Sequence, residues 1–349
     1  MKKLGFLGKI LFWVNTVAAL LLVICFFVPY LAPKTFATIS ILSVFTSPIL
    51  VINFIFVIYW TLRRRRQVFL SLTLLIIAFF VFPTAMKFST RDDASEYKNT
   101  LKVLSYNVRL FNAYEENSSI NISENLSELL ETQDPDVVCI QEYYKNVHLK
   151  FPKYPYQYIH YKVTDQKKGA LKESILGHAI LSKYPLINGA AFDFYGTYNN
   201  SIYADVIKDT DTIRVYNLHL NSLGIKSSVS SLQDNDKEKL RKRLAGAFIG
   251  QQDQLESVLT HKETSPHPVI MCGDFNNTPY SFVYNKASEG MQDAFLERGS
   301  GIGATLYFDF YPMRIDYIFS SEEFHVSDFV TIKETFSDHF PVMATFGWE

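Results

Sequence analysis

The front of the chain differs from the rest in its pattern of apolar and charged positions. Residues 1–90 contain no Asp or Glu, and three long stretches within them carry no charge at all. A helix needs roughly 20 apolar residues to cross a bilayer, and each of the three stretches reaches that length. The pattern predicts a membrane anchor over 1–87. Its three transmembrane helices are expected at about 10–33, 36–62 and 67–86.

The basic residues of this anchor indicate its orientation. Four arginines at 63–66 separate the second and third predicted helices, and Lys2, Lys3 and Lys9 precede the first. Because Lys and Arg of short loops stay on the cytoplasmic side, we expect the N-terminus inside and everything after the third helix outside. A cleaved signal peptide is the alternative for the first stretch, but its apolar core would be only about 7–15 residues long. We therefore expect a multi-pass protein of a bacterial-type inner membrane, in contact with membrane lipids, with a periplasmic domain.

After the anchor, residues 88–100 are polar and predict a linker, and strand-like and helix-like segments then follow. Helices are predicted at 121–133 and 236–260. The predicted strands cover 101–108, 136–142, 177–185, 203–209, 212–220, 268–276, 314–319 and the C-terminal run. This order predicts one domain over 101–349, an α/β (α+β) four-layer sandwich. Two packed mixed β-sheets are flanked by helices in it, and the three transmembrane helices precede it.

Charge is divided as unevenly as hydropathy. Nine Lys or Arg lie in residues 1–90, which leaves 25 basic against 35 acidic residues and a net charge of −10 in the remainder. Nucleic-acid binding depends on Lys and Arg contacts to phosphates, so nucleic acid is a possible substrate but not the favoured one. The three cysteines have no metal-type spacing. Cys139 and Cys272 are expected to be buried small hydrophobes, with a disulfide between them left open.

Polar side chains stand where several of the predicted strands end, and sheet proteins collect functional groups at such places. They are Asn107, Glu142, His219, Asn221, Asp274, Asn276, Asp316, Asp338 and His339. Carboxylates, amides and imidazoles match a hard divalent ion, Mg²⁺ or Mn²⁺, rather than zinc. Together with a positioned histidine, such an ion suits the attack of water on phosphorus.

Seven motifs follow one another along this part of the chain: SYNV, PDVVCIQE, AILSKYP, NLHL, GDFNNTP, RIDYIF and SDHFPV. Any one of them is weak, but the seven in this order resemble the endonuclease/exonuclease/phosphatase superfamily over residues 101–346. That superfamily includes pancreatic-type deoxyribonucleases, abasic-site endonucleases, inositol polyphosphate 5-phosphatases and bacterial sphingomyelinases. The resemblance implies a metal-dependent phosphoric ester hydrolase.

The same resemblance implies a metal site. Glu142 resembles the principal metal ligand of the family, with Asn107 beside it and Asp338 helping to hold the ion. Asn107 could instead cap a turn, for which Asn is well suited. Asn221 is a further candidate, for substrate binding.

The catalytic groups follow from the resemblance as well. Asp274 resembles the residue that orients or deprotonates the attacking water, and Asn276 the amide that steadies the phosphate. His339 resembles the essential imidazole with Asp316 behind it, and His219 the second histidine of the nuclease and sphingomyelinase branches. A carboxylate on one ring nitrogen fixes the tautomer, which leaves the other nitrogen as base or charge stabiliser. Whether Asp274 or His339 activates the water stays open.

Three functions remain open from the sequence. The favoured one is a membrane-anchored phosphodiesterase or phosphomonoesterase that acts on a lipid headgroup or a small phosphoester. The alternatives are an anchored extracytoplasmic nuclease and a catalytically silent binding module. Asp316 could also be a structural partner of Arg314, and no protein partner is inferred. The loop 222–235 and the glycine-rich segment 299–305 are expected to shape the substrate rim.

Overall fold

The front of the chain folds into helices. The helix α1 covers Phe6–Phe27, α2 covers Pro33–Ser40, α3 covers Leu42–Leu62 and α4 covers Val68–Val81. Two segments, Phe6–Tyr30 and Pro33–Leu62, are long and apolar enough to cross a membrane. The structure is a computed structural model that describes residues 4–82, 86–89, 92, 97–113, 122–145, 149–165, 171–224 and 236–349.

The third predicted transmembrane helix, 67–86, is shorter in the structure than in the prediction. The helix α4 ends at Val81 after 14 residues, which is below the roughly 20 that a bilayer requires. Phe82 has non-helical angles of φ −118° and ψ 67°. Pro83 follows it in the sequence, and proline disfavours helical angles at the residue before it. The count of helices of spanning length is therefore corrected from three to two among the described residues.

Polar groups lie inside the bundle of α1, α3 and α4. Asn15 Nδ2 donates to the hydroxyl of Ser71 at 2.6 Å, and Trp60 Nε1 donates to Asn15 Oδ1 at 2.8 Å. The hydroxyl of Ser71 donates in turn to Asn53 Oδ1 at 2.9 Å. Large apolar side chains are exposed on the outside: Trp13, Val17, Leu20, Phe54, Ile55, Ile58, Phe69, Phe79 and Phe80. A polar interior under an apolar exterior is the reverse of the pattern in water-soluble proteins.

Two six-stranded mixed β-sheets form the larger part of the chain. The first sheet has the order β15-β16-β2-β3-β5-β4, with its strands at Asn99–Asn107 (β2), Val137–Tyr144 (β3), Tyr156–Asp165 (β4), Leu171–Ser182 (β5), His325–Thr331 (β15) and Val342–Trp348 (β16). The second has the order β10-β14-β9-β8-β7-β6, with its strands at Leu186–Asp193 (β6), Asn200–Lys208 (β7), Asp211–His219 (β8), Val269–Asp274 (β9), Gln292–Asp293 (β10) and Asp316–Ser320 (β14).

Short elements complete the fold. Two small antiparallel pairs consist of Lys87–Phe88 (β1) with Ser300–Gly301 (β11), and of Leu306–Phe308 (β12) with Tyr311–Met313 (β13). The remaining helices are Ile122–Gln133 (α5), Lys237–Lys262 (α6), Phe282–Ala287 (α7) and Ala294–Arg298 (α8). Within the predicted linker 88–100, β1 thus pairs through Phe88, and β2 begins at Asn99.

The two sheets and their flanking helices make four layers, as predicted. Apolar residues of both sheets form the core between them, and the free thiols of Cys139 and Cys272 are buried there. Leu126 of α5 packs on the outer face of the first sheet. Leu255 of α6 packs on the outer face of the second sheet. Asp236 caps α6, because its carboxylate accepts from the first backbone N–H groups of that helix.

The predicted anchor, residues 1–87, contacts the domain through α2 and the start of α3. The Nζ of Lys34 lies 2.7 Å from Asp253 Oδ1 and 2.6 Å from Glu256 Oε2 on α6. The hydroxyl of Ser43 donates to Asn277 Oδ1 at 3.0 Å. Since Asn277 follows β9 by three residues, the anchor contacts the domain directly behind the end of that strand.

Candidate active site

Each sheet contains one parallel strand pair, β2 with β3 and β8 with β9. The carboxyl ends of both pairs meet at the same edge of the sandwich. Asn107 ends β2 and Asp274 ends β9, and Asn107 Nδ2 donates to Asp274 Oδ2 across the two sheets at 3.0 Å. Glu142 near the end of β3 and His219 at the end of β8 stand at the same edge. Four of the predicted site residues therefore converge as soon as the sheets pack.

The Oδ2 atom of Asp274 is the centre of the cluster. Two amides contact it: Asn107 Nδ2 at 3.0 Å and Asn276 Nδ2 at 3.2 Å. Two imidazoles face it: His219 Nε2 at 3.7 Å and His339 Nε2 at 3.8 Å. Only 1% of the Asp274 residue is exposed. A carboxylate surrounded in this way has a fixed orientation, which a group that positions a reactant requires.

His339 forms a pair with Asp316. Its Nδ1 lies 3.0 Å from Oδ2 and 3.2 Å from Oδ1 of that carboxylate. The backbone N–H of Asp316 donates to the hydroxyl of Thr305, which holds the start of β14. Arg314 pairs instead with Asp293, at 2.7 Å. The structure thus assigns Asp316 to the histidine and not to the arginine, and leaves Nε2 of the imidazole directed at the cluster.

Glu142 has an unusual backbone. Its φ of 55° lies in the left-handed region, and it stands in an irregularity where the pairing of β3 with β5 shifts between Ile140 and Tyr143. A side chain other than Gly costs free energy there, and such strain concentrates at functional sites. This backbone conformation directs the Glu142 carboxylate toward the cluster, with Oε1 3.4 Å from Asn107 Nδ2 and 3.7 Å from His219 Nε2.

Asp338 lies beside this carboxylate, next to a cation that the sequence analysis missed. The hydroxyl of Ser337 donates to the carbonyl of Asn107 at 2.8 Å and lies 3.3 Å from Asp338 Oδ1. Arg109 Nε lies 3.8 Å from Asp338 Oδ2. Burial raises the pKa of Glu142, and the arginine charge opposes part of that rise. Arg109 follows Asn107 by two residues in the sequence, outside the strand that ends at Asn107.

Asn221 is the predicted residue that the structure sets apart from the cluster. Its Oδ1 accepts from the hydroxyl of Thr197 at 2.8 Å. Its Nδ2 lies over Gly250 of α6, where an added Cβ would approach to 2.9 Å. Among the residues described, Asp274 forms no hydrogen bond with it. Asn221 stands at the rim rather than in the centre of the site.

Gln251 is a second residue that the sequence analysis missed. It is fully buried on α6, and its Nε2 donates to the carbonyls of Asn221 at 2.8 Å and Asn276 at 3.1 Å. Asn277 Nδ2 donates to its Oε1 at 2.8 Å. Since Ser43 of the anchor donates to Asn277, an unbroken run of hydrogen bonds connects α3 with the loops that hold the site.

The buried charges perturb one another. Burial raises the pKa of Glu142, and burial together with the negative charge of Asp316 raises the pKa of Asp274 to about 6. Burial alone would lower the pKa of His339, but Asp316 and Asp274 outweigh it and raise that pKa to about 10. Burial lowers the pKa of His219. The imidazole of His339 is therefore positively charged at neutral pH, among carboxylates that favour cations.

Two sets of groups could hold a metal ion. Ligand atoms of Asp274, Asp316 and His339 lie within 4.8 Å of one another, but Nδ1 of His339 is already occupied by Asp316. Oxygen atoms of Glu142 and Asp338, beside the Asn107 amide, form the second set. Carboxylate and amide oxygens are the donors that Mg²⁺ and Mn²⁺ prefer.

The glycine-rich segment 299–305, which was predicted to shape the substrate rim, lines a cavity. Residues 301–304 line a cavity of about 510 Å³ together with Phe295, Tyr307 and Phe340. The other predicted rim segment, 222–235, lies outside the described residues from position 225 onward. Phe340, which follows His339, lines this cavity, whereas Asp338, His339 and the other predicted site residues do not.

The fold and the site define a phosphoesterase, and the comparisons with known proteins agree. The sequence model of the endonuclease/exonuclease/phosphatase family matches residues 104–339, which is more than half of the chain. The protein belongs to this family and is a phosphoric ester hydrolase. Enzymes of the family generally use divalent metals, and the carboxylates described here could hold one. A second model, of a domain of unknown function (DUF8431), matches residues 8–85.

Solved structures show the same fold. The endonuclease/exonuclease/phosphatase of Beutenbergia cavernae DSM 12333 is 18% identical with a TM-score of 0.53, over 72% of each chain. That of Bacteroides vulgatus is 19% identical with a TM-score of 0.52, over 72% of this chain and 100% of the other. Humanized D. rerio TDP2 is 18% identical with a TM-score of 0.50, over 71% and 99%. No curated protein matches the sequence.

These comparisons bear on the predicted substrate as well. The family includes endonucleases and exonucleases by its own description. The expectation that nucleic acid is disfavoured, which rested on the net charge of −10 outside residues 1–90, finds no support in them.

Proposed function

We propose that the protein is a membrane-anchored, divalent-metal-dependent phosphoesterase that hydrolyses a phosphodiester or phosphomonoester by attack of water. One observation carries the proposal. The buried Oδ2 of Asp274 faces Nε2 of both His219 and His339 and lies 3.0 Å from Asn107, which also contacts Glu142. A carboxylate that faces two imidazoles, with the Glu142 carboxylate beside it as a ligand for a cation, suits the attack of water on a phosphorus centre.

Glu142, Asn107 and Asp338 would hold the metal, and Mg²⁺ or Mn²⁺ fits them best. Burial raises the pKa of Glu142, so its charged form is destabilised until a cation compensates it. Glu142 and Asp338 offer carboxylate oxygens. Asn107 would support them, since its Nδ2 contacts Glu142 while its Oδ1 accepts from the backbone N–H of Arg109 at 3.0 Å. When bound, the ion supplies positive charge that binds the phosphate and neutralises the charge that develops during attack. Arg109 adds a second positive charge beside Asp338.

Asp274 would orient the attacking water and accept its proton. Asn276 keeps that carboxylate in place, because its Nδ2 donates to Asp274 Oδ2 at 3.2 Å and to the carbonyl of Leu220 at 3.0 Å. With both amide protons directed at these acceptors, Asn276 acts mainly as a positioning residue. The phosphate would lie on the open side of the cluster, toward Glu142.

His339 would stabilise negative charge on the phosphate as an imidazolium. Its contact with Asp316 fixes the tautomer and the ring orientation, and directs the N–H of Nε2 into the site. His219 stands on the other side of Asp274 with Nε2 3.7 Å from Glu142. The two rings would hold the phosphate oxygens from two sides, a role that Asn221 at the rim could extend to the rest of the substrate.

The membrane part of the proposal rests on the front helices. Their apolar side chains face outward while Asn15, Asn53 and Ser71 bond inside the bundle. Because those contacts tie α1 to α3 and α4, α1 is a retained helix in this account and not a cleaved signal. The connection between α1 and α3 lies on the domain, and the arginines 63–66 follow the opposite end of α3. Phe82 at the end of α4 lies beside Tyr280 of the domain, so α4 would complete the third crossing although its helix has only 14 residues. With that crossing, the arrangement supports a cytoplasmic N-terminus and an extracytoplasmic domain at a bacterial-type inner membrane.

Cysteine labelling of intact cells tests this topology. The three native cysteines are buried, so Glu349→Cys and Arg66→Cys each supply one reactive thiol. A membrane-impermeant maleimide should label Glu349→Cys in spheroplasts, and Arg66→Cys only after the membrane is opened. The reverse pattern, or labelling of both before lysis, overturns the proposed orientation.

Hydrolysis by the full chain in detergent tests the enzymatic part. Metal-stripped protein is supplied with Mg²⁺ or Mn²⁺ and assayed on bis(p-nitrophenyl) phosphate and p-nitrophenyl phosphate, beside His339→Asn. We expect metal-dependent release of p-nitrophenol that falls by about 10²-fold or more in the variant. His267→Asn, at the opposite end of β9, is the matched control and should behave as the unaltered protein.

The remaining outcomes separate the candidate functions. Hydrolysis that persists with a chelator, or in His339→Asn, contradicts the proposal. DNA, RNA and phospholipid vesicles extend the substrate panel, and preferential cleavage of nucleic acid would make the protein an anchored nuclease. A complete lack of metal-dependent hydrolysis across that panel would favour the binding module.

A further inference from the structure

The hairpin of β12 and β13 carries exposed aromatic side chains beside the active site. Phe310 at its tip is 87% exposed and Tyr307 is 45% exposed. At its base, Leu306 forms a β-bridge with His339. The ring of Tyr307 lies 5.7 Å from that of Phe340, edge to face. The base of the hairpin thus pairs with His339, while Phe310 at its tip is exposed to solvent.

The same hairpin lies along the helix α3. Val44 of α3 packs with Phe308 and Tyr311 against the apolar base of the hairpin. The hydroxyl of Tyr311 reaches Ser47. Ser47 is five residues beyond the start of α3 at Leu42, which corresponds to about 7.5 Å along the axis at 1.5 Å per residue. The hairpin therefore reaches past the end of the helix toward its middle.

A second segment of the domain stands at this level. The hydroxyl of Ser47 donates to that of Tyr280 at 3.2 Å, and the Tyr280 ring lies 5.0 Å from Phe82 at the end of α4. Tyr280 is buried among residues of α1, α3 and α4. It follows Asn276 by four residues, so the loop after β9 sits on the helix ends. The edge of the sandwich that holds the site therefore faces the ends of α1, α3 and α4.

We propose that the hairpin dips its tip, Phe310, into the headgroup region of the bilayer that holds the anchor, and that the substrate is a phosphoester of a lipid in that leaflet. The proposal rests on the proposed function and in particular on its membrane anchor. Aromatic side chains are favoured at this depth, because their rings suit the interface between water and acyl chains.

Collisional quenching tests the position of the tip. Full-length Phe310→Cys carries an NBD label and is reconstituted in vesicles of phosphatidylcholine and phosphatidylglycerol. Tyr156→Cys is the matched control, since Tyr156 is exposed at the end of its sheet away from Glu142 and pairs there with Ser182. We expect blue-shifted emission and about threefold weaker quenching by iodide for the label at 310 than for the control. Equal quenching at both positions overturns the proposal.

Hydrolysis tests the substrate class. Phe310→Ser should lower the release of headgroup phosphate from these vesicles by about tenfold, because membrane contact scales with buried apolar area. It should leave the hydrolysis of soluble bis(p-nitrophenyl) phosphate unchanged, as should Tyr156→Ser. Unaltered vesicle hydrolysis by Phe310→Ser overturns the proposal. So does soluble hydrolysis by the unaltered enzyme without any attack on phospholipid, whereas failure on both substrates overturns the proposed function itself.

Discussion

Asn107 and Asp274 belong to different β-sheets, yet Nδ2 of Asn107 lies 3.0 Å from Oδ2 of Asp274. Both residues are nearly completely buried. The amide also lies 3.4 Å from Glu142 Oε1, so one side chain touches the proposed metal ligand and the proposed water-positioning carboxylate. The site forms only when the two sheets pack together, and the Asn107 amide of the first sheet hydrogen-bonds directly to Asp274 of the second sheet.

Replacement of Asn107 by Ala should lower kcat/KM by about 10- to 100-fold. The reason is that the buried carboxylate of Asp274 and the partly buried carboxylate of Glu142 lose a donor, a loss that costs about 1–3 kcal/mol, and each 1.36 kcal/mol is tenfold in rate. Asn188→Ala is the matched control, because Asn188 Nδ2 donates to the carboxylate of Asp205 at 3.0 Å away from the site. Steady-state kinetics of both variants check this. If Asn107→Ala keeps full activity, the link has no catalytic role.

Asp316→Asn should reduce kcat by about 10²- to 10⁴-fold, the range of general acid–base effects. The amide cannot stabilise the imidazolium of His339, whose pKa Asp316 and Asp274 raise to about 10. The folded state should persist, since the shape of the side chain is kept. Circular dichroism together with kinetics measures the two effects separately.

Asp293→Asn is the contrasting variant. It leaves Arg314 buried without its 2.7 Å partner, and such a loss costs about 3–5 kcal/mol in the free energy of unfolding. Activity per folded molecule should stay unchanged. A loss of kcat in Asp293→Asn, with normal kcat in Asp316→Asn, would exchange the assigned roles of the two carboxylates.

Gln251→Ala should lower kcat by about tenfold, because the carbonyls of Asn221 and Asn276 lose a buried donor and their loops loosen. Gln292→Ala is a close control, since the Gln292 amide also donates to two backbone carbonyls, those of Ser321 and Phe324, at the far end of the second sheet. Both variants should unfold at lower temperature. Only the first should lose activity, and equal kcat values would remove Gln251 from the site.

The central strands could be predicted from the sequence and the edge strands could not. β2, β3, β8, β9 and β14 are inner strands, and an inner strand buried on both faces carries a continuous apolar run. Within the two six-stranded sheets, the strands without a separate prediction, β4, β6, β10 and β15, are the four edges. The short strands β1, β11, β12 and β13 had no prediction either. An edge strand is specified by the neighbour it pairs with, so its own sequence carries a weaker pattern.

The site shows the same limit. The structure brings together the predicted carboxylates, amides and histidines except Asn221. They stand at the ends or starts of strands that meet at one edge of the sandwich. Arg109 and Gln251 were missed for different reasons. Arg109 has a positive φ of 46° in an irregular segment, and no local pattern marks it. Gln251 stands on the same face of α6 as Leu244 and Leu255, at helical spacing from both. Because its side chain is polar, the apolar pattern does not mark it as buried, whereas the packing of α6 on the site loops buries it.

The most direct test of the account is the binding of Mn²⁺ by the full chain, followed by electron paramagnetic resonance, together with hydrolysis in the same sample. Glu142→Gln is compared with Glu322→Gln, whose side chain is exposed beyond the far end of β14. The account predicts that Glu142→Gln weakens Mn²⁺ binding and lowers hydrolysis by about 10- to 100-fold each, while Glu322→Gln matches the unaltered protein. Undiminished metal binding and hydrolysis in Glu142→Gln would contradict a metal-dependent phosphoesterase centred on this carboxylate.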